Sequence, residues 1–417
     1  MMTRIARRTL LAAALAAMPS FALAQGQTPL KIGTALDFTA VDTFVTAEYS
    51  QGQRDYAALI NARGGIKGQP VEILVSDTGN QPQRGIEAYE RLKGEGAVLV
   101  DMLSTPVSRA VAPRSLADGV NLITLFHGRS DAIDGQAFPT IFPLTANYWS
   151  QAATLVDYLQ KKSGGSLKGK KIALVAIDSP FGKEPVPVFD ELAKRLGFEF
   201  TAYPYASPGN EQSAVWTQVR RARPDFTLIW GAGGGQTVSV STAQRNGMPM
   251  DQIGSVVWMA ETDMKIVGPD QTKGMMRFEG VAPGRDLAVI KAIESEVISK
   301  GKGSGPAERV GSTYYNLGVA SMAIVLEGAR LAAEKDGVPV TAAKLKTGLE
   351  SIKDYTADGL LPPTTITAKD HGGGSRGRIS MWDGSKWVAQ SDWSAPYSDI
   401  VWDLVGKSVA EFKASGK

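Results

Sequence analysis

The sequence predicts an α/β fold built as two doubly wound parallel-sheet lobes. Short apolar stretches of strand length alternate with helix-length segments, and such alternation means βαβ units, parallel sheets and right-handed crossovers. The alternation runs twice, broken by a Gly/Ser/Lys loop at 161–170. Beyond an N-terminal leader roughly 390 residues remain, more than one ordinary core organises, so two domains are expected.

Residues 30–35 open the first series as a strand. A helix over 49–61 stops where Gly64 and Gly65 supply a positive-φ turn. A loop through Gly68 and Pro70 leads to a strand at 71–75, which delivers Asp77 to its C-terminal edge. Helix 82–93, strand 98–103, helix 107–118 and strand 122–125 complete this series. The second follows a helix at 148–160. It reads strand 171–177, helix 183–196, strand 198–205, helix 214–221, strand 226–230, helix 237–245 and strand 256–259. The two series echo each other in architecture without a literal repeat. Residues 280–360 then carry a loop, an amphipathic helix at 287–300 and a long apolar helix at 312–335. In the tail, short strands at 378–381 and 386–390 flank Asp383-Gly384, a hairpin signal.

The leader has a basic n-region (Arg4, Arg7, Arg8), an apolar core over 10–18 and the small-residue cleavage site Ala22-Leu23-Ala24. Its apolar run is shorter than the roughly 20 residues a membrane span needs. A Sec-type signal peptide over 1–24 is expected, with Arg7-Arg8 faintly resembling a twin-arginine signal. The chain has no cysteine, which excludes a disulfide framework, a thiol nucleophile, a cysteine-based metal site and lipidation at the cleavage site. The formal charge of +3 comes from the three leader arginines, leaving 42 of the 45 basic residues against 42 acidic ones. A neutral, unclustered surface argues against nucleic acid or an anionic membrane as partner.

The run Ile60-Asn61-Ala62-Arg63-Gly64-Gly65-Ile66-Lys67-Gly68, set between a helix and a strand that ends at Asp77, resembles the opening of the type I periplasmic solute-binding proteins. Within them it is most similar to the leucine/isoleucine/valine-binding branch that feeds ABC importers, and the resemblance covers about 28–370. It implies a first lobe from 28–145 plus 283–360, a second from 146–282 plus 361–417, and a hinge of three strands. It also implies a periplasmic monomer that binds a small molecule and docks on ABC permease subunits.

Ligands of open α/β sheets sit at the C-terminal ends of the strands. Ser104 and Thr105 follow one strand and open a helix, where hydroxyls and free N–H groups suit a carboxylate. Ordinary N-capping explains them equally well from the residues alone. The resemblance favours ligand binding, since they match the family's serine-rich carboxylate loop. The loop Phe126-His127-Gly128-Arg129 matches one that offers backbone groups to the ligand, with Phe126 able to wall a side chain. His127 reads as a bystander on the rim, and Arg129 as a solvated loop arginine. Glu261 matches the family glutamate that binds an ammonium; the plainer reading is a helix-start acid. Gly233, in a glycine run after strand 226–230, permits close backbone approach. Phe44, Trp149 and Phe181 lie near strand ends or the crossover and suit an apolar ligand face, although scattered aromatics are mostly core.

Catalytic motifs are missing from the chain. The spacing Gly231-x-Gly233-x-Gly235 is not that of a dinucleotide loop, and no Walker lysine, nucleophile elbow or His-Glu-x-x-His is present. No enzyme activity, cofactor or metal is expected. The reading is a receptor that closes on an amino acid or related amide, with Ser104, Thr105 and 126–128 on its carboxylate and Glu261 on its amine. An aromatic carboxylate is the alternative ligand, and a sensor for a membrane signalling partner is the alternative role. The expected mature N-terminus is Gln25. Intact-mass spectrometry of the exported protein checks it, and retention of residues 4–24 would overturn it.

Overall fold

A computed structural model describes residues 27–414, so the leader reading lies outside the described residues. The first series comprises β1 (Leu30–Leu36), α1 (Thr43–Ala62), β2 (Val71–Asp77), α2 (Pro82–Gly94), β3 (Leu99–Met102), α3 (Thr105–Asp118), β4 (Asn121–Ile123) and β5 (Ile141–Phe142). The second comprises α4 (Tyr148–Lys162), β6 (Lys171–Ile177), α5 (Pro180–Lys183), α6 (Val186–Leu196), β7 (Glu199–Tyr205), α7 (Ser213–Ala222), β8 (Phe226–Trp230), α8 (Gly233–Arg245), β9 (Ile253–Ser255) and α9 (Glu261–Val267). There follow β10 (Met276–Glu279), α10 (Ala288–Glu296), α11 (Thr313–Asp336), α12 (Ala342–Leu349), β11 (Arg378–Trp382), β12 (Trp387–Ala389) and α13 (Ser398–Ala414).

The first sheet is parallel throughout, in the order β2-β1-β3-β4-β5, and the second parallel sheet runs β7-β6-β8-β9. Both therefore reverse direction beside their first strand, between β1 and β3 and between β6 and β8. Such a switch point leaves a crevice beyond the strands' C-terminal ends. A third, antiparallel sheet, β10-β11-β12, contains the hairpin expected in the tail. The passages between the two lobes, at 143–147, 280–287 and 361–377, are extended or bent chain outside the named strands. The second is tied to the residue just before the third, where Ala282 N–H donates to the Leu360 carbonyl at 2.9 Å.

Several boundaries move for identifiable reasons. The apolar run after Gln252 is strand only at β9, because β8 offers it partners from Thr227 to Ile229, and Val256 onward turns away. Tertiary pairing decides which part of such a run is a strand. β10, unanticipated from the sequence, reads Met-Arg-Phe-Glu, and its charged residues hide the strand pattern although all four are buried. Glycines 233–235, which the sequence reading left outside the helix, form the first turn of α8.

Helix α11 is long and apolar enough to cross a membrane, but 83% of that apolar window is buried inside the protein. A helix apolar on every side belongs in a core, and α11 lies against α1 and α12. Its approach to α1 uses glycines on both helices. A Cβ on Gly52 would sit 2.2 Å from the Tyr315 carbonyl oxygen, and one on Gly318 would sit 2.0 Å from that of Tyr49. At the same crossing Tyr49 Oη, Gln53 Nε2 and Ser321 Oγ all donate to one carboxylate oxygen of Asp101, on β3. One buried acid thus ties α1, the sheet and α11 together.

Burial pushes the Asp101 carboxyl up to about 7, against the opposing pull of its three donors. Between the ordinary 3.8 and about 7 the native chain holds a proton there that the unfolded chain has lost. The contribution of Asp101 to stability is therefore fully present below 3.8 and is lost as pH rises through about 7. Asp101→Asn, uncharged and of the same shape, should flatten this fall, which is on the order of 4 kcal/mol at most. Denaturant unfolding of both proteins from pH 4.5 to 8 checks it. Parallel pH profiles would remove Asp101 as the titrating group.

Candidate ligand-binding cleft

A cavity of about 600 Å³ lies between the lobes, walled by loops at the strand ends of both parallel sheets, among them those after β1, β3, β6 and β8, the four strands that flank the two switch points. Each loop is shaped by local chemistry. After β1, the Asp37 carboxylate accepts the N–H groups of Thr39, Ala40, Val41 and Asp42 at 2.8–3.2 Å and coils the chain into the start of α1. After β3, the Ser104 hydroxyl caps α3 by accepting Val107 N–H at 3.4 Å and donates to Asn80 Oδ1 at 2.5 Å. Thr105 Oγ1 accepts Gly128 N–H at 3.3 Å. Ser104 and Thr105 both line the cavity, so capping and a place at the cleft are compatible. After β6, Ser179 caps the short helix that carries Phe181 into the cavity wall.

Three aromatic side chains share that wall: Tyr148, Phe181 and Trp258. The Tyr148 ring lies 5.1 Å from Phe181 and edge-on to Trp230 at 5.7 Å, and its hydroxyl accepts Trp258 Nε1–H at 2.9 Å. Trp230 packs behind them, fully buried. This apolar face with its polar handles suits an unsaturated or bulky apolar ligand group.

The charge inventory is one-sided. Neither lysine nor arginine lines the cavity, whereas Asp42 and Asp178 do. Asp178 is half exposed and paired with Lys183 at 2.6 Å. Asp42 has no side-chain hydrogen bond or ion pair among the described residues, and burial, reinforced by the Asp37 charge, raises its carboxyl to about 7. His127 also lines the cavity. Its Nε2 meets the Met102 carbonyl, so that nitrogen carries the proton, and Nδ1 is left as a buried acceptor without a partner. Burial lowers the imidazole to about 4, which keeps it neutral at neutral pH.

Other residues singled out from the sequence lie elsewhere. Phe126 is fully buried at φ 63° with its ring edge on Phe278, 6.4 Å away, and serves the core rather than the cleft wall. Gly128 sits behind the wall, its N–H spent on Thr105. Trp149 turns away from the cavity and donates its indole N–H to the Glu184 carbonyl at 2.8 Å; its neighbour Tyr148 is the residue that reaches the cleft. The Phe44 side chain is outside the described residues. Arg129 is not a solvated loop residue: it pairs with Asp131 at 2.7 Å between the rings of Phe138 and Phe412.

Glu261 does not line the cavity. Its two carboxylate oxygens accept Thr313 N–H at 3.2 Å and Thr313 Oγ1–H at 2.8 Å, so it caps the start of α11. Gly233, at φ 64°, faces the opposite lobe: a Cβ there would lie 2.6 Å from the Val41 carbonyl oxygen. The close approach that its missing side chain permits is between lobes. A further contact joins them where Glu184 meets the Arg109 guanidinium and accepts Ser130 N–H at 2.7 Å. Asp42, Tyr148 and Trp258 are among the cleft residues that sequence reasoning passed over, as are Asn80 and Asn210. Asp42 gave no signal, because the helix read from the sequence starts at 49 whereas α1 starts at Thr43.

The profile of the periplasmic binding protein family matches residues 29–386. Among curated proteins, the chain is 25% identical over 204 residues to Leu/Ile/Val-binding protein homolog 3 of Brucella melitensis biotype 1, covering 48% of this chain and 54% of that one. The match thus spans about half of that relative's length. Among solved structures, the crystal structure of an ABC transporter permease from the Pseudomonas fluorescens group is 32% identical with a TM-score of 0.85, covering 94% of this chain and 98% of that one. A branched chain amino acid ABC transporter from Thermus thermophilus with bound valine shares the fold at 18% identity and a TM-score of 0.79, covering 91% and 99%.

The Thr313 contacts make Glu261 a stabilising residue, since a carboxylate on a helix N-terminus is worth about 1 kcal/mol. Glu261→Gln should lower stability by about that amount while leaving ligand affinity within a few-fold. Urea unfolding together with calorimetry checks both parts. A loss of affinity beyond tenfold would return the ammonium role to Glu261.

Proposed function

The chain belongs to the periplasmic binding protein family, and we propose that it is a solute receptor that captures an amino acid between two closing lobes and delivers it to an ABC permease. The observation that carries this reading is the position of the cavity. It lies where both parallel sheets reverse strand order, with walls from both lobes, so a ligand there bridges them. Contacts made only when the lobes are together shift the hinge equilibrium toward closure, and the closed shape is what a permease would read. The leader at 1–24 fits export to the periplasm.

The carboxylate of such a ligand fits the start of α3. Pro106 has no N–H, Val107 N–H is held by Ser104 and the Ser104 hydroxyl donates to Asn80, which leaves the Thr105 N–H at the positive end of the helix, with the two hydroxyls shaping the loop around it. A second reading, an aromatic carboxylate, draws on the Tyr148–Phe181–Trp258 wall. Both ligand classes use the same end of α3, so Ser104→Ala should weaken either by less than about tenfold.

A thermal-shift screen of amino acids, amides and aromatic acids tests the function. At a hundredfold excess over its dissociation constant, a true ligand adds about 2.7 kcal/mol to stability. X-ray scattering of the same ligand complex should show a smaller radius of gyration than the free protein. A saturating ligand that leaves the radius unchanged would overturn lobe closure, and a screen without stabilising ligands would overturn the ligand class.

A further inference from the structure

A cavity lined by two carboxylates and no lysine or arginine carries information about its occupant. Asp42 stands at the start of α1 with its carboxylate facing none of the described donors, and the other charged groups near it offer no relief. Asp37, on the same loop, is an acid already committed to four backbone N–H groups. Asp178, across the cleft on the β6 loop, is an acid committed to Lys183. His127, beneath the β3 and β4 ends, is neutral and adds no positive charge. From α4 and the β9–α9 turn come only Tyr148 and Trp258, and their polar atoms bond to each other.

Asp42 is only partly withdrawn from water, and an unpaired carboxylate so placed gains more from a cation than one in open solvent. The opposite end of the site is a helix N-terminus that favours an anion. We infer that Asp42 receives the ammonium of the ligand, which is an amino acid with an aromatic or bulky apolar side chain set against Tyr148, Phe181 and Trp258. This assignment rests on the receptor reading and deepens it by naming the ligand class and its anchor. It places the amine on the first lobe, on the loop after β1. The apolar group then meets residues carried by α4, α5 and the β9–α9 turn.

Isothermal titration of L-phenylalanine, L-leucine and 3-phenylpropionate into the full-length mature protein separates the possibilities. The wild type should bind at least one of the two amino acids and prefer L-phenylalanine to its amine-free counterpart by more than tenfold. Asp42→Asn should lose more than tenfold in amino-acid affinity, while 3-phenylpropionate is bound unchanged or more tightly because a like charge has left the cleft. Thermal unfolding of the unliganded variant supplies a readout that a structural role would move the other way. Removing an uncompensated carboxylate should leave the melting temperature unchanged or raise it, and Asp42→Ser should behave in the same manner. Wild-type affinity for amino acids in both variants would overturn the anchor, and so would a wild-type preference for 3-phenylpropionate. If the wild type binds none of the three probes, the ligand class falls; if 3-phenylpropionate alone binds and closes the lobes, the receptor reading survives without the ammonium anchor.

Discussion

The reversal of strand order beside β1 and beside β6 is the constraint on which the rest of the molecule depends. Crossovers between parallel strands are right-handed, so helices after strands on opposite sides of the reversal fall on opposite faces of the sheet. The loops leading into them part, and a crevice opens at the strand ends. One such crevice is a groove. Two of them set face to face make the cavity of about 600 Å³, to which both lobes contribute loops from their strand ends.

Around the cavity the lobes touch through contacts of different kinds. Gly233 admits the Val41 carbonyl at the mouth, where any side chain would hold the lobes apart. Glu184 reaches the first lobe through Arg109 and the Ser130 N–H. Glu261 grips the first turn of α11, next to Arg277, whose buried guanidinium donates to the Met259 carbonyl and Thr313 Oγ1 and stacks on Trp387 at 4.4 Å. These charges are satisfied at the interface and therefore hold the lobes in register, whereas the Asp42 charge inside the cavity is not satisfied. That difference separates the scaffold from the site.

The first lobe is stiffened by the α1–α11 crossing, where glycines let two backbones meet and Asp101 gathers donors from both helices. The loop that carries Asp42 runs directly into α1, which packs along α11. The C-terminal helix α13 adds a strap. It packs against α4 and α6 of the second lobe, while Ser408 donates to Asp131 and Phe412 covers Arg129 in the first.

By itself the sequence determined the alternation of elements, because strand and helix periodicity are local properties: β6 and β8 fall where the apolar runs place them, and α1 stops at its glycine pair. The position of Ser104, Thr105, His127 and Phe181 along the cavity was legible for the same reason, since each follows the C-terminal end of a strand. Tertiary structure alone decided where side chains point. Tyr148 and Trp149 are adjacent on one helix, yet about 100° of rotation sends the first to the cleft and the second behind it. Glu261 sits at the expected strand-to-helix junction, but α11 approaches from 52 residues away and takes its carboxylate. Asp42 carries no motif; only the lack of a lysine or arginine along the cavity lining makes it conspicuous, and that lining is assembled in three dimensions alone.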